Sequence, residues 1–270
     1  MLQWIAETSR KLGLLRPAYR VFEWLKSIDP KATQRDQAFL KGAQPLTYPL
    51  PPADLRVVVA GTPDIHWFLL FGEKMSQLIR VLLAEHGLIL EHSQAILEFG
   101  CGCGRVLRHF GQLRGPALYG TDYNPQLIEW CRHNLTFAHF DVNRASPPLI
   151  YTEAMFDLVY ASSVFTHLAE PQQLAWMVEL RRILRPGGYL LFTTMGESFL
   201  NKLSAEEQAR FRAGQLVVQY DDASGLNLCG TYHPREYVEN RLTSGFEVLS
   251  FLPVGSREHI FQDVYLLHKH

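Results

Sequence analysis

The chain predicts an α/β protein: a doubly wound, mainly parallel sheet behind a helical N-terminal extension. Three observations carry that class. Between residues 95 and 194 short apolar runs alternate with helical patterns, which implies parallel strands joined by right-handed crossovers. A Gly-rich turn, Gly100-Cys-Gly102-Cys-Gly104, directly follows the first of those runs. Near the end, Phe246–Phe251 and Val264–Leu267 read as strands with no helix pattern between them. So short a connection suits an antiparallel hairpin rather than a crossover.

At 270 residues, 47% hydrophobic and 12% aromatic, the chain can bury a substantial core and is globular rather than disordered. Its formal net charge is -1, so no global field draws it to a polyanion and nucleic acid is not an expected partner. The four cysteines, Cys101, Cys103, Cys131 and Cys229, form no repeated CxxC pair. They read as free thiols of a reducing compartment, with no metal site. Residues 1–5 do not open a signal peptide, and no stretch approaches the ~18 apolar residues of a membrane span. The expected location is cytoplasmic.

Residues 1–41 read as helical, with Trp4, Ile5, Leu12, Leu15, Tyr19, Phe22 and Leu25 at helix-like spacings. The charges between them lean basic: Arg10, Lys11, Arg16, Arg20, Lys26, Lys31, Arg35 and Lys41. Such a segment either lays its apolar stripe on the domain, leaving a solvated basic face, or makes peripheral contact with an anionic membrane. Pro45, Pro49, Pro51 and Pro52 mark a linker. Asp54–Ala60 reads as a short strand and Asp64–Gly87 as a helix carrying Trp67, Phe68, Phe71, Leu78, Ile79, Leu82 and Leu83. Then come strand Ala95–Phe99, a helix around Arg105–Phe110, strand Ala117–Thr121 and helix Pro125–His133. A weaker strand, Phe137–Asp141, precedes strand Phe156–Ala161 and helix Pro171–Leu184. Arg185-Pro-Gly-Gly188 stops that helix and swings the chain into strand Tyr189–Thr194, a structural role that needs no chemistry. The organisation that follows is an extension and Pro-rich linker over residues 1–60 and one domain over 61–270.

The chemistry concentrates at Glu98-Phe-Gly100-Cys-Gly102-Cys-Gly104. Glycines let backbone approach a ligand closely, and a helix N-terminus beyond them offers N–H groups to an anion. Asp122 ends the next strand, about 20 positions on, where a carboxylate grips a ribose diol. Nicotinamide dinucleotides and S-adenosylmethionine both fit that logic. The spacing here is GxGxG rather than GxGxxG, and Glu98 is a poor neighbour for a dianionic pyrophosphate. Beside an ammonium the same carboxylate is favourable, so the comparison favours the methyl donor.

Glu98 to Gly104, Asp122, Phe156–Ala161, Ser163-Val-Phe-Thr-His-Leu168 and Leu184-Arg-Pro-Gly-Gly-Tyr-Leu190 occur in that order. Together they resemble the ordered motifs of class I S-adenosylmethionine-dependent methyltransferases, in the branch that modifies small molecules, sugars or lipid-like metabolites. The resemblance implies a seven-stranded sheet whose last strand is antiparallel, S-adenosyl-L-methionine as cofactor and a small-molecule acceptor. It implies that Glu98, Gly100, Cys101, Gly102 and Gly104 line the methionine end of the donor. Asp122 would take both ribose hydroxyls, with Tyr123 beside the adenine and Asp141 on the adenine amino group. Ala161 and Ser162 would meet the donor ammonium through backbone carbonyls, and residues 196–235 would cover the acceptor side. Cys101 and Cys103 depart from more usual residues and add an oxidation liability beside the cofactor.

His167, just beyond the fourth strand, is a candidate general base for an acceptor hydroxyl, or an anchor for its loop. His233 is a second candidate, in a region that also holds Tyr220, Asp221, Asp222 and Tyr232. Phe165 and Trp67 read as packing residues. O-methylation of a glycan or secondary metabolite is the leading reading. Its rivals are methylation of RNA or protein, a non-catalytic domain that binds the donor and recruits a partner through its N-terminal helices, and an NAD-dependent oxidoreductase.

Overall fold

The computed structural model describes residues 8–42, 45–253 and 260–270; Trp4 and Ile5 of the expected N-terminal stripe lie outside them. Among the described residues the strands are β1 (Ala95–Phe99), β2 (Ala117–Asp122), β3 (His139–Val142), β4 (Phe156–Ala161), β5 (Leu184–Thr194), β6 (Val217–Gln219), β7 (Gly230–Tyr232), β8 (Glu247–Leu252) and β9 (Asp263–His268). The main helices are α1 (Leu15–Ser27), α2 (Pro30–Gly42), α3 (Ala53–Ala60), α4 (Ile65–Glu85), α5 (Pro125–Asn134), α6 (Glu170–Ile183) and α7 (Ala205–Arg212). Seven strands form one sheet in the order β3-β2-β1-β4-β5-β9-β8, and β6 with β7 makes a separate hairpin. β1 to β5 pair in parallel, while β9 runs antiparallel between β5 and β8. The fold is thus the doubly wound sheet with an antiparallel end that the sequence predicts.

The period of two along each strand divides the core into two layers. Ile96, Leu158, Tyr160 and Leu191 face one side, where α4 packs Phe68, Met75, Ile79 and Leu83 against them. Leu97, Val159, Leu190 and Phe192 face the other, where α6 supplies Trp176, Met177, Leu180 and Ile183. Helix α4 starts where it does because Asp64 caps it, its Oδ1 accepting the Trp67 N–H at 2.7 Å. The strand order reverses between β1 and β4, and the crevice beyond the carboxyl ends of those two strands is where an open α/β sheet binds a ligand.

Three local expectations are corrected. Asp54–Ala60 is helix α3, not a strand. Pro52 precedes it, Asp54 sits in its first turn and Gly61 ends it in the left-handed conformation (φ 67°). Arg56 also reaches Pro51 O, Pro63 O and Asp36 from inside that turn. These anchors outweigh the β preference of Val57, Val58 and Val59. After the Gly-rich turn the chain makes only a 3-10 turn, Leu107–Phe110, in place of a helix. Glu98 Oε2 takes the Leu107 N–H at 3.0 Å, so one N–H expected to face an anion is already occupied. Finally, β5 begins at Leu184 rather than Tyr189. Arg185 to Gly188 form a bulge between the Phe156–Leu184 and Leu158–Tyr189 pairs. Arg185 pairs there with the buried Asp157.

Candidate functional site

The carboxyl ends of β1, β2, β3 and β4 converge on a cavity of about 250 Å3. Its floor is the turn from Glu98 to Gly102. Gly100 has φ +70° and a Cβ there would lie 2.4 Å from Val164 Cγ2; Gly102 has φ +56° and a Cβ would lie 2.7 Å from Val59 Cγ2. A side chain at either position would therefore be strained and would push into the packing around the cavity. Gly104, also predicted to line the site, instead abuts Leu135 and Cys131 away from the lining.

Two buried carboxylates face the cavity. Glu98 Oε2 accepts from the Leu107 N–H at 3.0 Å and the Tyr160 O–H at 3.3 Å. Burial pushes its carboxyl up to about 8. Asp122 Oδ2 accepts the Gly102 N–H and Oδ1 the Asn124 N–H, both at 2.9 Å. Burial raises it to about 6, against the pull of those N–H groups. Arg105, used in the sequence only to begin a helix, is buried among them and lines the cavity. Its guanidinium lies 3.9 Å over the Phe71 ring, and it makes no hydrogen bond or ion pair among the described residues. Burial lowers it to about 10, so it stays a cation at neutral pH.

Beyond β4, Ser162 and Ser163 line the cavity while Ala161 is fully buried behind them. Ser162 Oγ is buried without a hydrogen-bond partner. Ser163 sits at φ +61°, its N–H on Thr193 Oγ1 at 2.8 Å and its Oγ on Gln262 Oε1 at 3.0 Å. His167 also lines the cavity. Its Nδ1 is 2.7 Å from the Cys229 carbonyl oxygen. A carbonyl only accepts, so Nδ1 carries the proton and Nε2 keeps its lone pair. Burial lowers the pKa of His167, which keeps the ring neutral.

Like Gly104 and Ala161, two more predicted residues lie off the lining. Asp141 turns to Arg132 (3.7 Å) and the Tyr151 hydroxyl (3.4 Å), and the cavity wall beyond β3 is made by Asn143, Arg144 and Ala145. Successive strand residues alternate faces: Phe140 packs with Leu127, Ile128 and Cys131 of α5, so Asp141 points to the opposite face, toward Tyr151. His233 is fully buried outside the lining, 3.0 Å from Gln173 Oε1, and burial depresses it to about 3. Cys101 lines the cavity and Cys103 does not; both are buried, and desolvation drives both thiols well up, which disfavours the reactive thiolate.

The roof has no local sequence signal. Arg16 and Glu23 of α1, Val58 and Val59 of α3, and Ser224 to Asn227 close the cavity from above. Long-range contacts hold these pieces together. Arg10 pairs with Asp221 (2.8 Å) and Asp222 (3.2 Å), and Arg16 donates to the carbonyls of Asp222 and Ser224. Asn227 Nδ2 donates to Val58 O at 2.7 Å. Tyr123 reaches up from the floor, its hydroxyl donating to Gly225 O at 2.7 Å.

With that geometry in place, relatives are informative. A family model described as a methyltransferase domain matches residues 97–192, from β1 through most of β5. Residues 97–192 thus resemble the class I S-adenosylmethionine-dependent methyltransferase family. Its sequence is 35% identical over 101 residues to a fatty-acid O-methyltransferase of Mycolicibacterium smegmatis, covering 36% of each chain. It is 32% identical over 107 residues to a malonyl-[acyl-carrier protein] O-methyltransferase of Hahella chejuensis, covering 38% of this chain and 37% of that one. The chain thus spans little more than a third of the length of these two curated relatives. Among solved structures it resembles a methyltransferase of Methanosarcina mazei, with a TM-score of 0.53 and 21% identity over 69% of this chain and 96% of that one; this likeness is one of fold.

The cofactor of the family, S-adenosylmethionine, suits the residues present. Carboxylates at Glu98 and Asp122, a cation at Arg105 and an unpartnered Ser162 hydroxyl share one cavity. Those are the complements of an ammonium, a ribose diol and a carboxylate.

Proposed function

We propose that this methyltransferase domain O-methylates a small, largely apolar molecule, with residues 61–270 forming the catalytic domain, residues 1–60 a cap and residues 196–235 a cover on the acceptor side. The observation that carries the reading is that the donor cradle and His167, whose Nδ1 is held by the Cys229 carbonyl, line one cavity. Asp122 would hold the ribose hydroxyls, Glu98 the ammonium side and Arg105 the carboxylate, with Tyr123, Asn143 and Arg144 toward the adenine. S-adenosylmethionine supplies a methyl group already activated on a sulfonium. The protein then has mainly to align the acceptor and exclude water, where positioning alone is worth on the order of 7–11 kcal/mol.

His167 would take the proton of an acceptor hydroxyl or carboxyl at Nε2, while the Cys229 carbonyl fixes its tautomer. Phe99, Val164, Leu168, Trp176 and Leu226 give the same cavity apolar walls, which suits an acceptor with hydrocarbon character. The two relatives named above act on a fatty acid and on malonyl-[acyl-carrier protein], both as O-methyltransferases, and support that class. The test is methyl transfer from labelled donor to a panel of fatty acids, hydroxylated lipids and glycans. Label in a lipid methyl ester or ether supports the proposal; label only in glycan, RNA or protein overturns it.

A further inference from the structure

Helix α1 carries two apolar stripes where the sequence suggests one. Leu15, Tyr19 and Phe22 turn inward, beside Glu23 over the cavity. On the opposite side stand Leu14, Val21, Trp24, Leu25 and Ile28, at spacings of three, four and seven that share one helical face. They are 53%, 57%, 57%, 53% and 51% exposed, and Leu12 in the preceding turn is 67% exposed. Five large apolar side chains in one outward row are more than scattered surface residues, and such a patch marks a site of contact.

The charge around the stripe says what the contact is. Residues 8–42 hold eight Lys and Arg against three Asp and Glu, a net +5 in a chain of net -1. Two of the three acids, Glu23 and Asp36, are buried, Asp36 against Arg56. Arg10 and Arg16 bind the roof, and Lys26 donates to Gly61 O. Lys11, Arg20, Lys31, Arg35 and Lys41 are exposed and make no ion pair among the described residues. Exposed basic residues on both N-terminal helices and an apolar stripe with a tryptophan together match a helix lying in the plane of a lipid interface.

We propose that the outward face of α1, together with the exposed basic residues of α1 and α2, docks on an anionic lipid surface. Each basic residue near such a surface contributes about fivefold to partitioning, and the apolar row supplies the rest by leaving water. A protein partner with an acidic surface would satisfy the charges. Exposed basic side chains without ion pairs and a plain apolar row, however, need only a deformable apolar layer rather than a shaped recess. The inner face of the same helix roofs the cavity, so docking would place the site next to the lipid. The inference is independent of methyl transfer, because docking needs neither donor nor acceptor.

The test is co-sedimentation of the full chain with vesicles of phosphatidylcholine, with and without phosphatidylglycerol. The chain should sediment with the anionic vesicles, less so as salt is raised, and stay in solution with the neutral ones. A K31E/R35E variant and a W24S/L25S variant should each lose more than about tenfold in bound fraction. Unchanged thermal melting would confirm that both variants fold, since all four side chains are exposed. Wild type that ignores anionic vesicles, or K31E/R35E that binds as tightly as wild type, would overturn the proposal. So would capture of an acidic acyl-carrier protein by a chain that leaves both vesicle types unbound, which would reassign the face to a protein partner.

Discussion

Glu98 offers the sharpest single test, because its two roles pull in opposite directions. In the folded chain burial raises the carboxyl from its ordinary 4.5 to about 8. At pH 7 the unfolded chain ionises it freely and the folded chain keeps it protonated. One pH unit of that difference corresponds to about 1.4 kcal/mol, so the wild-type residue disfavours folding by on the order of 3 kcal/mol at neutral pH. Its folded pKa is raised, so the penalty is absent below pH 4.5, grows as pH rises and levels off above about 8. Glu98→Gln is uncharged and still offers an oxygen to the Leu107 N–H. The variant should melt roughly 5–10 °C higher than wild type at pH 7, and at the same temperature at pH 4. It should also lose the thermal shift that S-adenosylmethionine gives wild type, because an amide cannot counter an ammonium. Differential scanning fluorimetry across pH, with and without donor, reads both effects. A variant that is no more stable at pH 7, or that responds to the donor as wild type does, would refute the reasoning.

Other perturbations bear on neighbouring parts of the site. Asp122→Ala should weaken donor binding by about tenfold or more in calorimetry, since a buried carboxylate that accepts two hydroxyls is lost; unchanged affinity would remove it from the ribose. Donor affinity should climb as pH rises from 6 to 8, because the bound cation requires Glu98 ionised and burial holds it protonated below about 8; a flat profile would place the ammonium elsewhere. His167→Ala should lower turnover while leaving donor affinity intact, whereas His233→Ala should cost about 1–3 kcal/mol of stability by stranding Gln173 and leave turnover per folded molecule unchanged. The reverse pattern would exchange their roles.

What the sequence made legible was local. Alternating apolar periods located the strands and α4, and the Gly-rich turn followed by Asp122 located the crevice beyond β1. Where a short segment carries competing signals, tertiary anchors decided. Three valines in α3 favour a strand, but Pro52, Gly61 and the buried Arg56 close a helix around them. Asp141 and Asn143 share a parity, so strand alternation cannot tell them apart; Asp141 lies within β3, whereas Asn143, just past its end at Val142, lines the cavity. The roof was the least legible part. Arg10 and Asp221 are 211 positions apart and pair as ordinary exposed charges, a contact that leaves no trace in local composition. Arg105 was hidden differently, since an arginine after the glycines looks like a solvated helix start until burial shows it walled in with Glu98 and Asp122.

The central claim is that this cavity binds S-adenosylmethionine, and titration calorimetry of the purified chain tests it most directly. S-adenosylmethionine and S-adenosylhomocysteine should each bind at one site per chain with micromolar affinity, and NAD should give no heat of binding. Saturable NAD binding, or none by either sulfur ligand, would contradict the account.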